Sequence, residues 1–189
     1  MPPTLNPGRL LGLSGSYWQT CALHAGVKLG LFTAIGRHAR SAEQVAATMD
    51  ADARAVSMLM NALVAMALLK KEGDQYANTD ESRLFLDESS ETYQGHIILH
   101  HHQLMASWAN LDKAVRTGRA VRARSSLQDA EARRHFLMGM FNLAMQLAPR
   151  LVPAVDLSGC RRLMDLGGGP GTYAIHFCRR YPDLRATVL

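Results

Sequence analysis

The sequence lacks the features that mark several large protein classes. It contains no run of about 18 apolar residues, so no membrane span is predicted. Residues 1–7 have neither the basic start nor the apolar core of a signal peptide, and the default prediction is a cytoplasmic protein. Its three cysteines, Cys21, Cys160 and Cys178, are far apart and form no C-x-x-C pair. This spacing indicates neither a disulfide framework nor a zinc site.

The sequence also lacks a concentrated basic stripe, although its formal net charge is +5. Basic domains often bind nucleic acid. Here the arginines are scattered along the C-terminal half and are not interleaved with aromatic residues. We therefore interpret them as solvated helix faces and predict no nucleic-acid partner. A length of 189 residues suits one ordinary domain, or a small domain with part of another.

The most informative stretch is a glycine turn near the C-terminal end of the sequence. Apolar residues occupy both odd and even positions of the stretch before the turn: Leu163, Met164 and Leu166. A strand with apolar side chains on both faces is predicted to be a parallel strand covered on both faces. The glycines at 167, 169 and 171 permit positive φ and a close approach of the backbone to a ligand. The helix predicted to follow offers unpaired N–H groups and the positive end of its dipole. This combination predicts a turn that binds a cofactor.

The spacing of the glycines excludes two common cofactor turns. A dinucleotide turn requires G-x-G-x-x-G, but Thr172 occupies the last position when the count begins at Gly167. When the count begins at Gly168, Pro170 occupies the middle position. No Lys-Ser or Lys-Thr pair follows, so a Walker loop is excluded as well. A strand, turn and helix that bind no ligand stay open as the structural alternative.

The pattern that is present, D-x-G-x-G-x-G over residues 165–171, resembles the first motif of class I S-adenosylmethionine-dependent methyltransferases. Residues 163–171 are similar to the version found in small-molecule O-methyltransferases. S-adenosylmethionine carries an ammonium group and a sulfonium but no pyrophosphate, so an acid beside an uncharged glycine backbone suits it. The resemblance implies that S-adenosylmethionine is the cofactor and that these residues hold its methionine end: Asp165, Gly167, Gly168 and Gly169.

The N-terminal half shows the order of a winged helix, after a proline-rich lead. The predicted elements are a helix over Ser14–Gly30, a helical turn over Leu29–Ile35, a helix capped by Ser41 and Gln44, a helix from Asp50 or Asp52 to Leu69, and a hairpin over Lys70–Asn78. The third helix of such a module often reads DNA. Between Val56 and Leu69, Asn61 is the lone polar residue of the types that contact DNA bases. This helix is therefore predicted to pack against other parts of the protein.

The same half resembles the dimerisation domain of small-molecule O-methyltransferases, the group that includes caffeic acid, acetylserotonin and bacterial polyketide enzymes. The similar segments are Leu29–Phe32, Ser41–Ala47, Leu63–Leu69 and Tyr76-x-x-Thr79. The resemblance implies a homodimer and a small-molecule acceptor. A non-catalytic dimerisation or regulatory protein, and a winged-helix DNA-binding regulator, remain the alternatives.

A long helix is predicted over Glu91–Gly118. His96 and His100 lie four residues apart on one face of it, a spacing that can bind a metal. No carboxylate or cysteine is placed to complete such a site, so we predict packed or pocket-lining histidines and no metal. The segment from Trp108 to Gly118 is similar to the family's W-x-x-L-x-x-A-V-x-x-G pattern.

A basic linker over Val121–Ser125 precedes a helix over Leu127–Leu151 that Ser126 is predicted to cap. The apolar face of this helix is predicted to comprise Phe136, Met140, Leu143 and Leu147. Met and Phe at this spacing usually belong to a core. The resemblance of Phe136-x-x-Gly139-Met140 to a family segment implies instead that Phe136 and Met140 lie against the methyl donor and the acceptor ring, where soft surfaces suit a sulfonium.

After the glycine turn, a helix is predicted to face the sheet through Ala174, Phe177, Cys178 and Tyr181, followed by a second strand over Leu184–Leu189. The family's ribose-binding acid and its catalytic histidine are expected beyond Leu189, so no catalytic base is assigned within the sequence. We expect an N-terminal fragment that is inactive alone and binds the donor weakly or not at all.

The predicted fold is mostly α. A winged-helix-like dimerisation domain (1–120) is followed by a linking helix (121–158) and by the first strand, helix and strand of a class I methyltransferase α/β domain (159–189). The predicted function is O-methylation of a hydroxyl on an aromatic or polyketide-like small molecule.

Overall fold

The computed structural model describes residues 6–121 and 129–189 and is mostly helical. The chain divides into two compact units, the first ending at Gly95 and the second running from His96 to Leu189. Within the described ranges, no helix is both long enough and apolar enough to cross a membrane.

The first unit combines helices with a small antiparallel sheet. Its elements are α1 (Gly8–Gly15), α2 (Tyr17–Lys28), α3 (Leu31–Ile35), β1 (Arg40–Ser41), α4 (Ala42–Met49), α5 (Ala53–Ala65), β2 (Leu69–Glu72), β3 (Gln75–Asn78) and α6 (Asp80–Phe85). The strands are ordered β1-β3-β2. Helix α1 lies in the lead for which no helix was predicted, and none of its residues is buried.

Local signals in the first unit are confirmed. Ser41 Oγ accepts from the Gln44 backbone N–H at 3.4 Å, and Gln44 Oε1 accepts from the Ser41 N–H at 2.9 Å, which completes the predicted capping box at the start of α4. Asp52 caps α5. Helix α5 ends at Ala65 rather than Leu69, because Ala67 has a φ of 57° and Leu69 begins β2. The core of the unit includes Leu31, Phe32, Ile35, Val45, Met60 and Leu63.

Asn61, the residue considered for base reading, forms hydrogen bonds inside the first unit. Its Oδ1 accepts from Lys71 Nζ at 2.8 Å and from the Tyr76 hydroxyl at 2.9 Å. These bonds tie α5 to the β2–β3 hairpin. The Asn61 side chain therefore supports the fold of the unit.

The second unit contains the glycine turn. Its elements are α7 (Gly95–Trp108, whose first residue ends the first unit), α8 (Leu111–Thr117), α9 (Ala130–Ala154), β4 (Arg162–Asp165), α10 (Thr172–Arg180) and β5 (Arg185–Val188). Strands β4 and β5 are parallel, and their register runs from Arg162 opposite Arg185 to Asp165 opposite Val188. The predicted strand, helix and strand are confirmed.

The single helix predicted over Glu91–Gly118 is wrong, because α7 and α8 are separate helices. Asn110 lies between them with a φ of −107°, and its side-chain Nδ2 donates to the Ala106 carbonyl at 2.7 Å. An asparagine that bonds the preceding helical turn competes with the backbone and favours a helix end. Gly118, with a φ of 63°, ends α8 at the predicted position.

Helix α9 differs from its prediction in its buried face. Ser126 and Leu127 lie outside the described residues, and the helix described begins at Ala130 with Asp129 as its N-cap. Of the predicted inner face, Leu143 and Leu147 are exposed and Phe136 is 44% exposed. The buried positions are dominated by small residues, which let neighbouring helices approach closely: Ala132, His135, Gly139, Ala144, Ala148 and Val152.

Strand β4 is covered on one face only, which corrects the predicted burial of both faces. Leu163 packs against a core formed by Ala148, Val152, Phe177 and Leu184. Met164 is 63% exposed and Leu166, just after the strand, is 74% exposed. Side chains alternate across a strand, and the described residues supply helices for only one side of this sheet. The core confirms that Ala174, Phe177, Cys178 and Tyr181 of the α10 segment face inward.

Candidate functional site

The glycine turn between β4 and α10 adopts the predicted backbone conformation. Gly167, Gly169 and Gly171 have φ values of 70°, 53° and 70°, a region that favours glycine. The Gly167 N–H donates to the Leu189 carbonyl at 2.7 Å, and the Leu189 N–H donates to the Asp165 carbonyl at 3.0 Å. The ladder between the parallel strands therefore continues into the turn and fixes where the turn begins.

Asp165 and Gly168 form the tightest part of the turn. A Cβ atom placed on Gly168 would overlap the carboxylate of Asp165, so only a glycine fits there without movement. Asp165 Oδ2 is buried and has no hydrogen-bond partner among the described residues. An unpaired buried carboxylate oxygen is costly, which indicates a position prepared for a donor group on a ligand.

The turn is open beside this carboxylate. Cβ atoms placed on Gly167 and Gly169 would meet no atom within 4 Å. The backbone there leaves room for a ligand, while Gly168 keeps the acid close. The structure thus brings together the four residues that the sequence predicted for the methionine end of the donor, and their chemistry fits an ammonium group.

Thr172 is a residue of this site that the sequence analysis did not single out. It is the first residue of α10, directly after the N-cap residue Gly171. Its hydroxyl is buried and has no hydrogen-bond partner in the part of the chain that the structure describes. The sequence feature that points to Thr172 is its position immediately after the last glycine of the motif.

Phe136 and Met140 lie on α9, in the same unit as the glycine turn. Successive residues of a helix are turned by about 100° around its axis. Phe136 and Met140 therefore lie on the side of α9 that is bounded by the buried His135 and Gly139 at one edge and by the buried Ala144 at the other. Farther along, Ala148 packs with Phe177 of α10. Phe136 and Met140 thus stand on a side of α9 that the helices packed against it leave partly open.

Helices α7 and α9 cross at a buried histidine pair. His96 Nδ1 and His135 Nδ1 are 3.0 Å apart, and both residues are buried. His135 Nε2 lies 3.5 Å from Glu131 Oε1. In the shared bond one Nδ1 carries the proton and the other accepts it.

The partner of His96 is therefore His135, which the sequence analysis did not single out. The two residues are 39 positions apart, and no local pattern connects them. Within residues 6–121 and 129–189, no group of three or more His, Cys, Asp and Glu side chains could hold a metal ion.

Two family models match the chain. One, described as an O-methyltransferase dimerisation domain, matches residues 11–88, and the other, described as an O-methyltransferase domain, matches residues 108–189. Together they account for most of the sequence, in the order dimerisation domain then methyltransferase domain.

Curated relatives and solved structures agree with these matches. The 3-hydroxy-5-methyl-1-naphthoate 3-O-methyltransferase of Streptomyces sahachiroi is 30% identical over 198 residues, which cover 100% of this chain and 56% of that protein. The tetracenomycin polyketide synthesis 8-O-methyl transferase of Streptomyces glaucescens is 32% identical over 188 residues, covering 96% of this chain and 56% of that protein. The chain thus spans about half the length of these relatives.

Human N-acetylserotonin methyltransferase, solved in complex with SAM, is similar in structure, with a TM-score of 0.84 and 25% identity. The match covers 100% of this chain and 60% of that chain. With both family models matched in order, this chain belongs to the small-molecule S-adenosylmethionine-dependent O-methyltransferase family.

Proposed function

We propose that this protein transfers a methyl group from S-adenosylmethionine to a hydroxyl group of an aromatic or polyketide-like small molecule. S-adenosylmethionine is the cofactor of the family to which the chain belongs. The observation that carries the proposal is the buried, unpartnered Oδ2 of Asp165 beside Gly168, at the open side of a glycine turn.

Asp165 would accept a hydrogen bond from the ammonium group of the donor, and its negative charge would complement the ammonium charge. Gly167, Gly168 and Gly169 would allow the donor to approach the backbone. When bound, S-adenosylmethionine supplies a methyl group on a positively charged sulfur. Phe136 and Met140 would line the chamber in which donor and acceptor meet, since aromatic and thioether surfaces suit a sulfonium.

The named substrates of two relatives support the proposed acceptor class. Two of them are named for methylation of a hydroxynaphthoate and of a polyketide, and both are O-methyltransferases. The proposed reaction is a direct displacement at the methyl carbon, in which fixing the two reactants in line supplies much of the rate. We assign no catalytic base among residues 1–189.

We propose that the first unit forms a homodimer. It contains the segment matched by the dimerisation-domain model, residues 11–88. Asn61 makes hydrogen bonds within the unit, which favours an interaction role over base reading.

We also propose that residues 1–189 alone bind the donor weakly, because they provide two parallel strands covered on one face. Parallel sheets are normally covered on both faces. Titration calorimetry of residues 1–189 with S-adenosylmethionine tests this, and micromolar binding would contradict it.

The donor site is tested by replacing Asp165 with Asn in the full-length protein. This change keeps the shape of the side chain and removes its charge, so S-adenosylmethionine affinity should fall by about tenfold or more in titration calorimetry. Asp183→Asn, an exposed acid before β5, is the matched control and should bind normally. Equal affinities of the two variants would refute the assignment.

A further inference from the structure

The crossing of α7 and α9 places His100 beside Phe136. The ring centroids of the two residues are 5.1 Å apart, with their planes inclined by 55°. His100 is half-buried, and neither of its ring nitrogens has a hydrogen-bond partner among residues 6–121 and 129–189. A half-buried imidazole with free nitrogens beside an exposed aromatic ring offers both a flat surface and a polar group to a ligand.

Two further contacts hold this arrangement in place. A Cβ atom on Gly139 would lie 3.0 Å from the Ile97 Cα, so the backbones of α7 and α9 approach closely there. The His96–His135 hydrogen bond lies beside this close approach. Because both contacts adjoin the His100–Phe136 pair, the relative position of the two rings is set by helix packing.

The environment of His100 also sets its charge. Burial lowers the pKa of His100 below its ordinary value, and the neighbouring His101 lowers it further. The imidazole is therefore neutral at neutral pH. A neutral imidazole carries one N–H donor and one acceptor nitrogen, and so can bond a hydroxyl in either direction.

We infer that His100 is an acceptor-binding residue, which hydrogen-bonds a hydroxyl or carbonyl oxygen of an aromatic acceptor whose ring packs against Phe136. This inference rests on the proposed function, since it takes Phe136 as part of the chamber. The inference adds a residue of α7 to the proposed acceptor-binding chamber, whereas the glycine motif involves only β4 and α10. The ligand class it selects is a hydroxylated aromatic ring, because a simple aliphatic alcohol could use the nitrogen but not the ring surface.

The test uses the full-length protein and 3-hydroxy-5-methyl-1-naphthoate as the probe, at about pH 8, where an ordinary histidine is neutral. Histidine ring signals are followed by NMR during titration with the probe to millimolar concentration. We expect saturable shifts of the His100 ring and a loss of probe affinity of about fivefold in His100→Ala. His100→Gln, which keeps a donor and an acceptor, should recover part of that affinity.

His101→Ala is the matched control, because His101 is the neighbouring histidine and is exposed. It should bind the probe as the unsubstituted protein does. All variants should bind S-adenosylmethionine with unchanged affinity in calorimetry. If His100→Ala binds the probe normally, or if no His100 shift appears while the donor still binds, the inference is overturned. If the unsubstituted protein fails to bind the donor, the proposed function itself fails.

Discussion

The carboxylate of Asp165 occupies the space that a Cβ atom on residue 168 would need, so Gly168 fits there and a residue with a side chain does not. The observed position of the acid therefore requires a glycine three residues later. This relationship links the fold of the turn to the proposed chemistry, because the buried oxygen of the same carboxylate is the one without a partner. It also gives the most direct mutational test of the turn.

Gly168→Ala should lower S-adenosylmethionine affinity by at least about tenfold, because the added methyl group displaces the Asp165 carboxylate. Titration calorimetry of the full-length protein measures the change. Gly12→Ala is the control, since a Cβ there meets no atom within 4 Å. Normal donor binding by Gly168→Ala would show that the position of the carboxylate does not matter.

Gly139→Ala should lower the free energy of unfolding by about 1–3 kcal/mol, because the new methyl group presses on the Ile97 backbone. Urea denaturation measures the loss. The nearest atom is the Ile97 Cα at 3.0 Å, so trimming the side chain with Ile97→Ala should not rescue the variant. A rescued double variant would mean that the side chain, rather than the backbone, limits the helix approach.

Tyr93 should make the protein less stable at alkaline pH. Burial, together with the negative charges of Glu88 and Asp87, raises its pKa to about 12. Between the ordinary value of 10.0 and this raised value, the folded state retains a proton that the unfolded state loses. The free energy of unfolding therefore falls as pH rises through that window.

The alkaline loss is measured by urea denaturation at about pH 8 and about pH 11, on either side of an ordinary tyrosine pKa. Tyr93→Phe removes the titrating hydroxyl and should reduce the loss. Tyr17→Phe, an exposed tyrosine on α2, provides the control and should leave the loss unchanged. Equal alkaline losses in the Tyr93→Phe and unsubstituted proteins would contradict the role of Tyr93.

Ser41→Ala should destabilise the first unit by about 1 kcal/mol, since it removes the side chain that caps α4. Chemical denaturation measures this change, and donor affinity should stay the same. Ser14→Ala on the exposed helix α1 is the comparison and should have little effect on stability. Equal stability of the two variants would show that the capping box contributes nothing.

Features that depend on neighbouring residues could be predicted from the sequence. The Ser41–Gln44 capping box, the positive φ values of Gly167, Gly169 and Gly171, and the end of α8 at Gly118 are confirmed. Each follows from the conformational preferences of residues a few positions apart. The backbone conformation of the glycine motif belongs to this group, because it depends on a local backbone path.

Features that depend on distant packing could not be predicted in the same way. Met164 is as apolar as a core residue, but its burial depends on whether a layer covers that face of β4. On α9, the sequence predicts that the stripe of large apolar residues is buried. The buried positions are instead mostly small residues such as Gly139 and Ala148, because the neighbouring helices approach closely there. The His96–His135 bond joins two helices whose contact no periodicity reveals.

The one-sided cover of β4 has a thermodynamic consequence for the donor site. Leu163 anchors the strand on the core side, while Met164 and Leu166 face outward directly before the glycine turn. Any apolar layer that packs on the outward face stabilises the strand from which the turn starts. A donor bound in the turn, as proposed, would stabilise the same backbone. The packing of such a layer on β4 and the proposed donor binding would then be linked equilibria, and each would raise the affinity of the other by the same factor.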